Sequence, residues 1–482
     1  MVVANFLIFS FLYFVKRYTV PIGWDAAWYV RNMRLIAEQG LPALFEETRE
    51  INFYCILEYF VSSTFHIPFM LTEKVLPIVI GVSYSLVNFK IVKKFSKSWK
   101  FPLIAMGLSI TAFNTALMIQ DLHRNLFCFL LVQIALFLVL PDILENASKK
   151  KVALFMLLFV FAGISQMETF ALVMLTLFLL LLFDRRKHFF KRTRLLFICF
   201  AVPSLLVFLL ESPFLQNYLK GSAFLDSSIA WSWDKGWIAL PWSYFLSLGG
   251  ALIPFYVIGL YHSLSTSVKN QKEQLLFLIS FWNLVIIGGS FIPWFGIKIP
   301  GYRFLVLATM PVVSTIGFTK FIAHTDLNRK KAALSIALIT LAIATQILYI
   351  SINYRPWLSN NQYEKLNWIN NNKKDDPCTV VLYFNSGEVT YPVAEMYGFW
   401  VKAVVGSRTN VYFGQISYLL SSKPTPSGNQ LLNETSNAFW NMMKKNFTPG
   451  KEIYLIDDWY TGTDVDAKYL KPVYEGVYLV QP

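Results

Sequence analysis

Long apolar runs separated by short polar stretches fill the first 352 residues of the chain. A helix needs about 20 mostly apolar residues to cross a bilayer. We therefore predict about eleven membrane-spanning helices, near residues 2–16, 70–92, 101–119, 125–141, 152–165, 168–183, 195–211, 242–263, 274–290, 303–321 and 332–352. The segment 51–68 is also apolar but contains Glu58 and His66, so we place it at the membrane surface or dipping inside.

The loops between these runs differ in their content of basic residues. If the N-terminus is cytoplasmic, the inner loops carry twenty Lys and Arg residues, and the longer outer loops carry roughly half as many. Because basic residues concentrate in cytoplasmic loops, this asymmetry predicts a cytoplasmic N-terminus and a long first outer loop. Lys16 and Arg17 are the exception, since they lie on the outer side of the first span.

Beyond residue 352 the pattern becomes polar, and β-prone stretches alternate with helical ones. Strands are predicted at CTVVLYFN, KAVVG, NVYFG, KEIYLIDD and GVYLVQP, and helices at QYEKLNWINNN and NETSNAFWNMMKKN. Such alternation predicts a small α/β domain outside the membrane. The predicted division is a transmembrane domain at 1–352 and an extracytoplasmic α/β domain at 353–482.

The composition agrees with a multi-pass membrane protein. Of 482 residues, 55% are hydrophobic and only 15% are charged, whereas soluble domains typically carry about 25% charged residues. The net charge of +14 follows from the basic inner loops, so it does not indicate a nucleic-acid partner. The four cysteines are scattered without CxxC spacing, which argues against a metal site or a disulfide framework.

The first outer loop contains a predicted amphipathic helix, WDAAWYVRNMRLIAEQG. Its apolar residues fall on one face and its charged residues on another: Ala27, Val30, Leu35 and Ile36 against Arg31, Arg34 and Glu38. We expect this helix to lie on the outer surface and to end at Gly40. Asp25 is at its start, where Asp is a favoured N-cap residue. Asp25 therefore either caps the helix or performs chemistry.

One N-terminal span followed by a GxD…Y stretch, formed by Gly23, Asp25 and Tyr29, resembles the GT-C class of integral-membrane glycosyltransferases. The class includes protein O-mannosyltransferases, lipid A aminoarabinose transferases and the catalytic subunits of oligosaccharyltransferases. The number of spans, the long first outer loop and the C-terminal domain are also similar. The resemblance implies that Asp25 is a catalytic base or metal ligand and that Tyr29 contacts substrate. Ala26 stands where many members have a second acid.

Two later outer turns carry further ionisable residues. In metal-dependent members of the class, the turn matching IQDLHRN supplies metal ligands, which implies that Asp121 and His123 join Asp25 around Mn²⁺ or Mg²⁺. The alternative is an interfacial cluster of Asp121, His123 and Arg124 that anchors the turn. In SQMETF, Glu168 lies at a span end and is either a catalytic residue or a cap of the sixth span.

The segment IKIPGYRFLVLATMP, 297–311, places Lys298 and Arg303 at the start of the tenth span. The class often has an Arg here that binds the phosphate of a lipid-linked donor, and a guanidinium suits a phosphodiester. The alternative for Arg303 is a snorkelling anchor. In the loop 212–241, Trp231 and Trp233 either contact substrate or belong to an interfacial aromatic belt.

These features predict a multi-pass cell-membrane glycosyltransferase. It would transfer a sugar from a polyprenyl-phosphate donor to a protein, lipid or glycan acceptor on the extracytoplasmic face. Asp25 would act as the base, and Arg303 with Lys298 would stabilise the leaving phosphate. The alternatives are a transporter or flippase for a lipid-linked glycan, or a non-catalytic membrane assembly protein.

Overall fold

The structure of the chain is a computed structural model. It describes residues 17–23, 25–48, 51–120, 122–187, 193–221, 252–266, 271–290, 305–324, 356–374, 377–384, 391–415, 452–456, 470–475 and 477–480, together with single positions within 3–13 and 333–348. The predicted spans 2–16 and 332–352, and the predicted helix NETSNAFWNMMKKN, lie largely or wholly outside the described residues.

The described residues are mostly helical and include one small sheet. The helices, in chain order, are α1 (Ala26–Gln39), α2 (Leu41–Thr48), α3 (Phe53–Phe65), α4 (Phe69–Phe95), α5 (Lys100–Thr111), α6 (Phe113–Gln120), α7 (His123–Gln133), α8 (Leu140–Glu145), α9 (Lys149–Ser165), α10 (Met167–Lys187), α11 (Thr193–Gly221), α12 (Ile253–Ser265), α13 (Gln271–Gly289), α14 (Met310–His324), α15 (Asn360–Asn372) and α16 (Tyr391–Val404). The strands are β1 (Thr379–Phe384), β2 (Asn410–Gln415), β3 (Ile453–Ile456), β4 (Leu470–Tyr474) and β5 (Val477–Val480).

The chain forms two compact units. The first comprises residues 1–17, 45–60 and 74–355, and the second comprises residues 18–44, 61–73 and 356–482. The second unit therefore combines most of the first predicted outer loop with the C-terminal α/β residues. The domain boundary between residues 352 and 353 stays a prediction.

Three described helical stretches are long and apolar enough to cross a membrane: Phe69–Phe95, His123–Glu145 and Lys272–Gly289. Two shorter apolar stretches, Thr169–Leu182 and Phe197–Pro213, match the predicted sixth and seventh spans. The total of about eleven spans stays a prediction. The stretch 123–145 contains a π-helical turn, Ile134–Val139, just before Pro141. Because proline has no backbone N–H, the α-helical ladder is interrupted there.

The predicted third span is not one continuous helix. It is divided at Ala112 into α5 and α6, and the Ala112 backbone is extended, with φ −67° and ψ 131°. The apolar pattern continues across the break without a proline or glycine to mark it. The prediction of an uninterrupted helix over 101–119 was therefore wrong.

Helices α12 and α14 pack at glycines, which allows their backbones to approach closely. A Cβ added at Gly259 would lie 2.1 Å from the carbonyl oxygen of Val313, and one at Gly317 would lie 1.8 Å from that of Phe255. Small residues of this kind are typical of helix pairs in membranes.

The sheet of the second unit has the strand order β2-β1-β3-β5-β4. Strand β1 is parallel to both β2 and β3, and β5 is antiparallel to β3 and β4. Four of the five predicted strands are confirmed by β1, β2, β3 and β5, and the predicted helix QYEKLNWINNN is confirmed by α15. The stretch KAVVG is not a strand, because its first residues complete α16. Strand β4 was not predicted.

Candidate functional site

Asp25 occupies the N-terminus of α1, as predicted. Its backbone carbonyl accepts hydrogen bonds from the amides of Trp28 and Tyr29, at 3.0 and 3.1 Å. Its side chain makes no capping hydrogen bond, and its own backbone is already helical, with φ −78° and ψ −10°. An N-cap aspartate normally has extended backbone and accepts from the second or third amide of the helix. The geometry therefore does not support the cap interpretation.

The environment of Asp25 combines partial exposure with an aromatic neighbourhood. Asp25 is partly exposed, whereas Ala26 and Ala27 beside it are fully buried. Tyr29 is 1% exposed, and its ring meets that of Trp28 edge-on, with 5.2 Å between ring centroids. A carboxylate with limited water access is suited to proton abstraction.

The far end of α1 is bound to the C-terminal end of α16. The Arg34 guanidinium donates to the carbonyls of Ala403, Val404 and Val405 and forms an ion pair with Glu38, with 2.6 Å between Nε and Oε1. Arg31, on the charged face of α1, is only 4% exposed and lies over the Phe399 ring, 5.3 Å from its centroid. The apolar face is buried as predicted, and Gly40 ends the helix.

An acidic and an imidazole side chain lie together on α3 and α7, within the first unit. The ligand atoms of Glu58 and His123 lie within 4.8 Å of each other, and both residues are at most 1% exposed. The Tyr54 ring is 6.2 Å from the His123 ring, which shows how closely α3 and α7 pack. His123 was predicted as a metal ligand, but Glu58 was not.

The chemistry of this Glu58–His123 pair suits a cation. Carboxylate oxygens and an imidazole nitrogen are ligands for Mn²⁺ or Zn²⁺. The two residues therefore offer two of the ligands that a divalent metal needs. An acid within an otherwise apolar helix was the sequence signal that could have indicated Glu58.

The turns that contain His123 and Glu168 are joined. Asn125 donates from Nδ2 to the Oγ1 of Thr169 at 3.1 Å, linking α7 to the start of α10. Glu168 lies in the first turn of α10, and its side chain is outside the described residues. The hydrogen bond thus brings together two of the outer turns singled out from the sequence.

The segment that follows Arg303 is fixed by α13. Asn283 accepts from the Thr309 amide at 3.0 Å and from the Tyr256 hydroxyl at 2.9 Å, and Trp282 donates to the Leu307 carbonyl at 3.0 Å. All these polar atoms are buried within the first unit. The predicted site residues Asp121, Trp231, Trp233, Lys298 and Arg303 lie outside the described residues.

Comparison with known proteins shows similarity at the level of the fold. Neither a protein-family model nor a curated protein matches the sequence. The structure of the oligosaccharyltransferase from Archaeoglobus fulgidus, in complex with Zn and sulfate, matches with a TM-score of 0.59 and 13% identity, over 94% of this chain and 67% of that chain. The mycobacterial arabinofuranosyltransferase AftD matches with a TM-score of 0.51 and 10% identity, over 88% of this chain and 35% of that chain.

Both matched structures are GT-C glycosyltransferases. The resemblance to this class, predicted from the sequence, is therefore confirmed for the fold. This chain spans only about a third of the length of the arabinofuranosyltransferase.

Proposed function

We propose that the chain is a membrane glycosyltransferase that transfers a sugar from a polyprenyl-phosphate donor to an acceptor on the extracytoplasmic face. The observation that carries this proposal is the position of Asp25, a carboxylate that begins α1 without capping it, on a fold shared with two glycosyltransferases. The acceptor is a hydroxyl or amide on a protein, lipid or glycan.

Asp25 is the catalytic base of the proposed reaction. It takes the proton of the acceptor as the acceptor attacks the anomeric carbon, and the bond from that carbon to the donor phosphate breaks. The fixed position of the helix start, with two amides bonded to the Asp25 carbonyl, favours a defined direction for the carboxylate. Tyr29, Trp231 and Trp233 are the proposed substrate contacts, and Glu168 is a second proposed catalytic residue.

The leaving group is a lipid-linked phosphate, and Arg303 with Lys298 is proposed to bind it. A guanidinium keeps its charge and donates two parallel hydrogen bonds to phosphate oxygens. Support comes from the residues just after Arg303, since Leu307 and Thr309 are held by buried hydrogen bonds from Trp282 and Asn283. An anchored segment allows a binding group beside it to be preorganised.

A divalent metal fits the proposed function, and His123 is common to two sets of residues that would hold it. The first set, from the resemblance, is Asp25, Asp121 and His123, and the second, from the structure, is Glu58 and His123. When bound, such an ion supplies positive charge that polarises phosphate oxygens. The oligosaccharyltransferase with the same fold was solved with Zn.

The transport alternative is less well supported by the positions of the ionisable residues. Transporters often place ionisable groups near the middle of broken helices. Here Glu73 is in the second turn of α4 and His123 is the first residue of α7. Acids and imidazoles at helix ends fit a site at the membrane surface.

The test is a transfer assay with the protein reconstituted in liposomes. A labelled polyprenyl-phosphate sugar is supplied with peptide, lipid and glycan acceptors, and label on the acceptor is measured together with the lipid phosphate released. The proposal predicts transfer with release of lipid phosphate in equal amount. Movement of the labelled lipid between leaflets without transfer would instead identify a flippase.

A further inference from the structure

The segment that contains Asp25 is held by the C-terminal residues on both sides of that carboxylate. Before it, the Thr19 hydroxyl donates to the Oδ1 of Asn360 at 2.6 Å. After it, Arg31 lies over Phe399, and Arg34 reaches the end of α16. All these residues belong to the second compact unit. In the sequence, Asp25 thus lies between two attachments to the C-terminal residues of the same unit.

The strongest attachment is the one at Arg34. Its guanidinium makes five hydrogen bonds: Nε to Glu38, Nη1 to the carbonyls of Ala403 and Val404, and Nη2 to Val405 and to the Oδ1 of Asn370. An arginine has five N–H donors, so each one has an acceptor. A lysine could not reproduce this pattern, because it presents a single point charge.

The acceptors explain why a cation is needed here. The last carbonyls of a helix have no partner within the helix and form the negative end of its dipole. Ala403 and Val404 end α16 and Val405 follows directly, and Lys373 also donates to the Val405 carbonyl at 2.7 Å. Arg34 therefore satisfies several carbonyls that would otherwise require water.

Glu38 completes the attachment, which we name the Arg34 latch and define as Arg34, Glu38 and Ser407. The Oε2 of Glu38 accepts from the Ser407 amide at 3.0 Å and from the Ser407 hydroxyl at 2.5 Å, while its Oε1 accepts from Arg34. The latch thus binds two consecutive turns of α1 to the residues that follow α16.

The latch can influence Asp25 through the helix itself. Asp25 and Arg34 are separated by nine residues of α1, or about 14 Å at 1.5 Å per residue. At that distance, a tilt of about 5° moves the start of the helix by about 1 Å, and shifts of about 1 Å in reacting groups can cost roughly a hundredfold in rate. A small tilt of α1 at Arg34 is therefore enough to displace Asp25 by a distance that matters for the rate.

We propose that Arg34 is a positioning residue, and that the C-terminal α/β residues form part of the catalytic apparatus by holding α1, and with it Asp25, through the Arg34 latch. This inference rests on the proposed function for the role of Asp25. The C-terminal α/β residues then support the segment that contains Asp25.

The experiment combines amide hydrogen exchange with transfer kinetics. The reporters are the amides of Trp28 and Tyr29, which are bonded to the Asp25 carbonyl itself. Arg34→Ala should raise their exchange rates by about ten- to hundredfold, the loss expected for charged hydrogen bonds. It should lower kcat by a similar or larger factor and leave the donor KM unchanged. Arg34→Lys should recover only part of the exchange protection and only part of kcat.

Arg408→Ala is the matched control, because Arg408 is exposed and follows Ser407 directly. It should change neither measurement. A short bis-maleimide cross-link between Gln39→Cys and Ser407→Cys, whose native side chains are 2.9 Å apart, should restore both slow exchange and kcat in Arg34→Ala. The four native cysteines are buried and should not react. If Arg34→Ala does not fold, Ser407→Ala removes a single hydroxyl and replaces it in the test.

Unchanged exchange at Trp28 and Tyr29 in Arg34→Ala would overturn the proposal, as would a cross-link that restores nothing. Faster exchange with unchanged kcat would also overturn it, because Asp25 would then not depend on the latch. If the wild type transfers no sugar at all, the proposed function fails, and the exchange rates alone decide whether the latch positions Asp25.

Discussion

Asn125 and Thr169 are joined by a buried hydrogen bond of 3.1 Å from Nδ2 to Oγ1. Asn125 is 7% exposed and Thr169 is 1% exposed. The bond links the turn that contains His123 to the turn that contains Glu168, 44 positions apart in the sequence. Two outer turns that the sequence singled out separately are therefore parts of one polar region.

Removing this bond should destabilise the fold measurably. Asn125→Ala leaves the buried Thr169 hydroxyl without its partner, so the free energy of unfolding should fall by about 1–3 kcal/mol. In a double-mutant cycle with Thr169→Val, the coupling should be about 0.5–1.5 kcal/mol, measured by denaturant unfolding in detergent. Asn146→Ala, at an exposed helix end, serves as control. Additive effects of Asn125→Ala and Thr169→Val would show that the bond contributes nothing.

Local patterns predicted α1, because its apolar spacing, its acidic start and Gly40 all lie within one short stretch. They could not predict that Arg31 is buried, since its partner Phe399 is 368 positions away. KAVVG was taken as a strand from its β-branched residues, but packing in the second unit completes α16 there. Tertiary contacts outweigh local propensity in such cases.

The candidate site was predictable only in part for the same reason. His123 stood out because it lies beside Asp121 in a short polar turn, and Asp25 because it begins an outer helix. Glu58 becomes notable only when α3 and α7 bring it to His123. This convergence depends on helix packing, which no local pattern records.

The Glu58–His123 pair should contribute to binding a divalent metal. Titration with Mn²⁺, followed by the electron paramagnetic resonance signal of the free ion, should show one bound ion in the wild type. Glu58→Gln should weaken binding at least about tenfold.

The control for this titration is Glu145→Gln, an exposed acid at the end of α8. Asp121→Asn distinguishes the two proposed ligand sets. Loss of Mn²⁺ binding in Asp121→Asn but not in Glu58→Gln would assign the ion to Asp25, Asp121 and His123 instead.

The Arg34 latch should be sensitive to acid. Burial raises the pKa of Glu38, but hydrogen bonds from Ser407 and the Arg34 charge outweigh it, so this pKa lies below its ordinary value. A lowered pKa means that ionised Glu38 stabilises the folded unit above the ordinary carboxyl range and loses this effect as pH falls through the lowered value.

Wild type and Glu38→Gln should therefore differ in free energy of unfolding at pH 7, and the difference should shrink as the pH falls below the ordinary carboxyl range near 4.3. Thermal unfolding at a series of pH values measures this. The charged group bonded to Glu38 at the latch is Arg34, and the nearby Lys373 donates to the Val405 carbonyl. A stability difference that does not depend on pH would contradict the assignment.

Binding of the lipid-linked donor through its phosphate should depend on Arg303. Arg303→Ala should raise the KM for the lipid-linked donor, and Arg303→Lys should restore only part of the affinity, because lysine lacks the planar pair of donors. Initial rates over a range of donor concentrations give this comparison, with the acceptor KM as an internal control. An unchanged donor KM in both variants would identify Arg303 as a snorkelling anchor.

The most direct test of the account is the rate of sugar transfer by Asp25→Asn. Asparagine keeps the size and hydrogen-bonding capacity of the side chain but cannot accept the acceptor proton, so kcat should fall by roughly 10²–10⁴-fold. Expression and melting temperature should stay close to wild type, because asparagine has nearly the same shape as aspartate and keeps an acceptor oxygen. Glu46→Gln, an exposed acid on the same loop, should transfer normally. Wild-type kcat in Asp25→Asn would show that the carboxylate is not the base and would contradict the central claim.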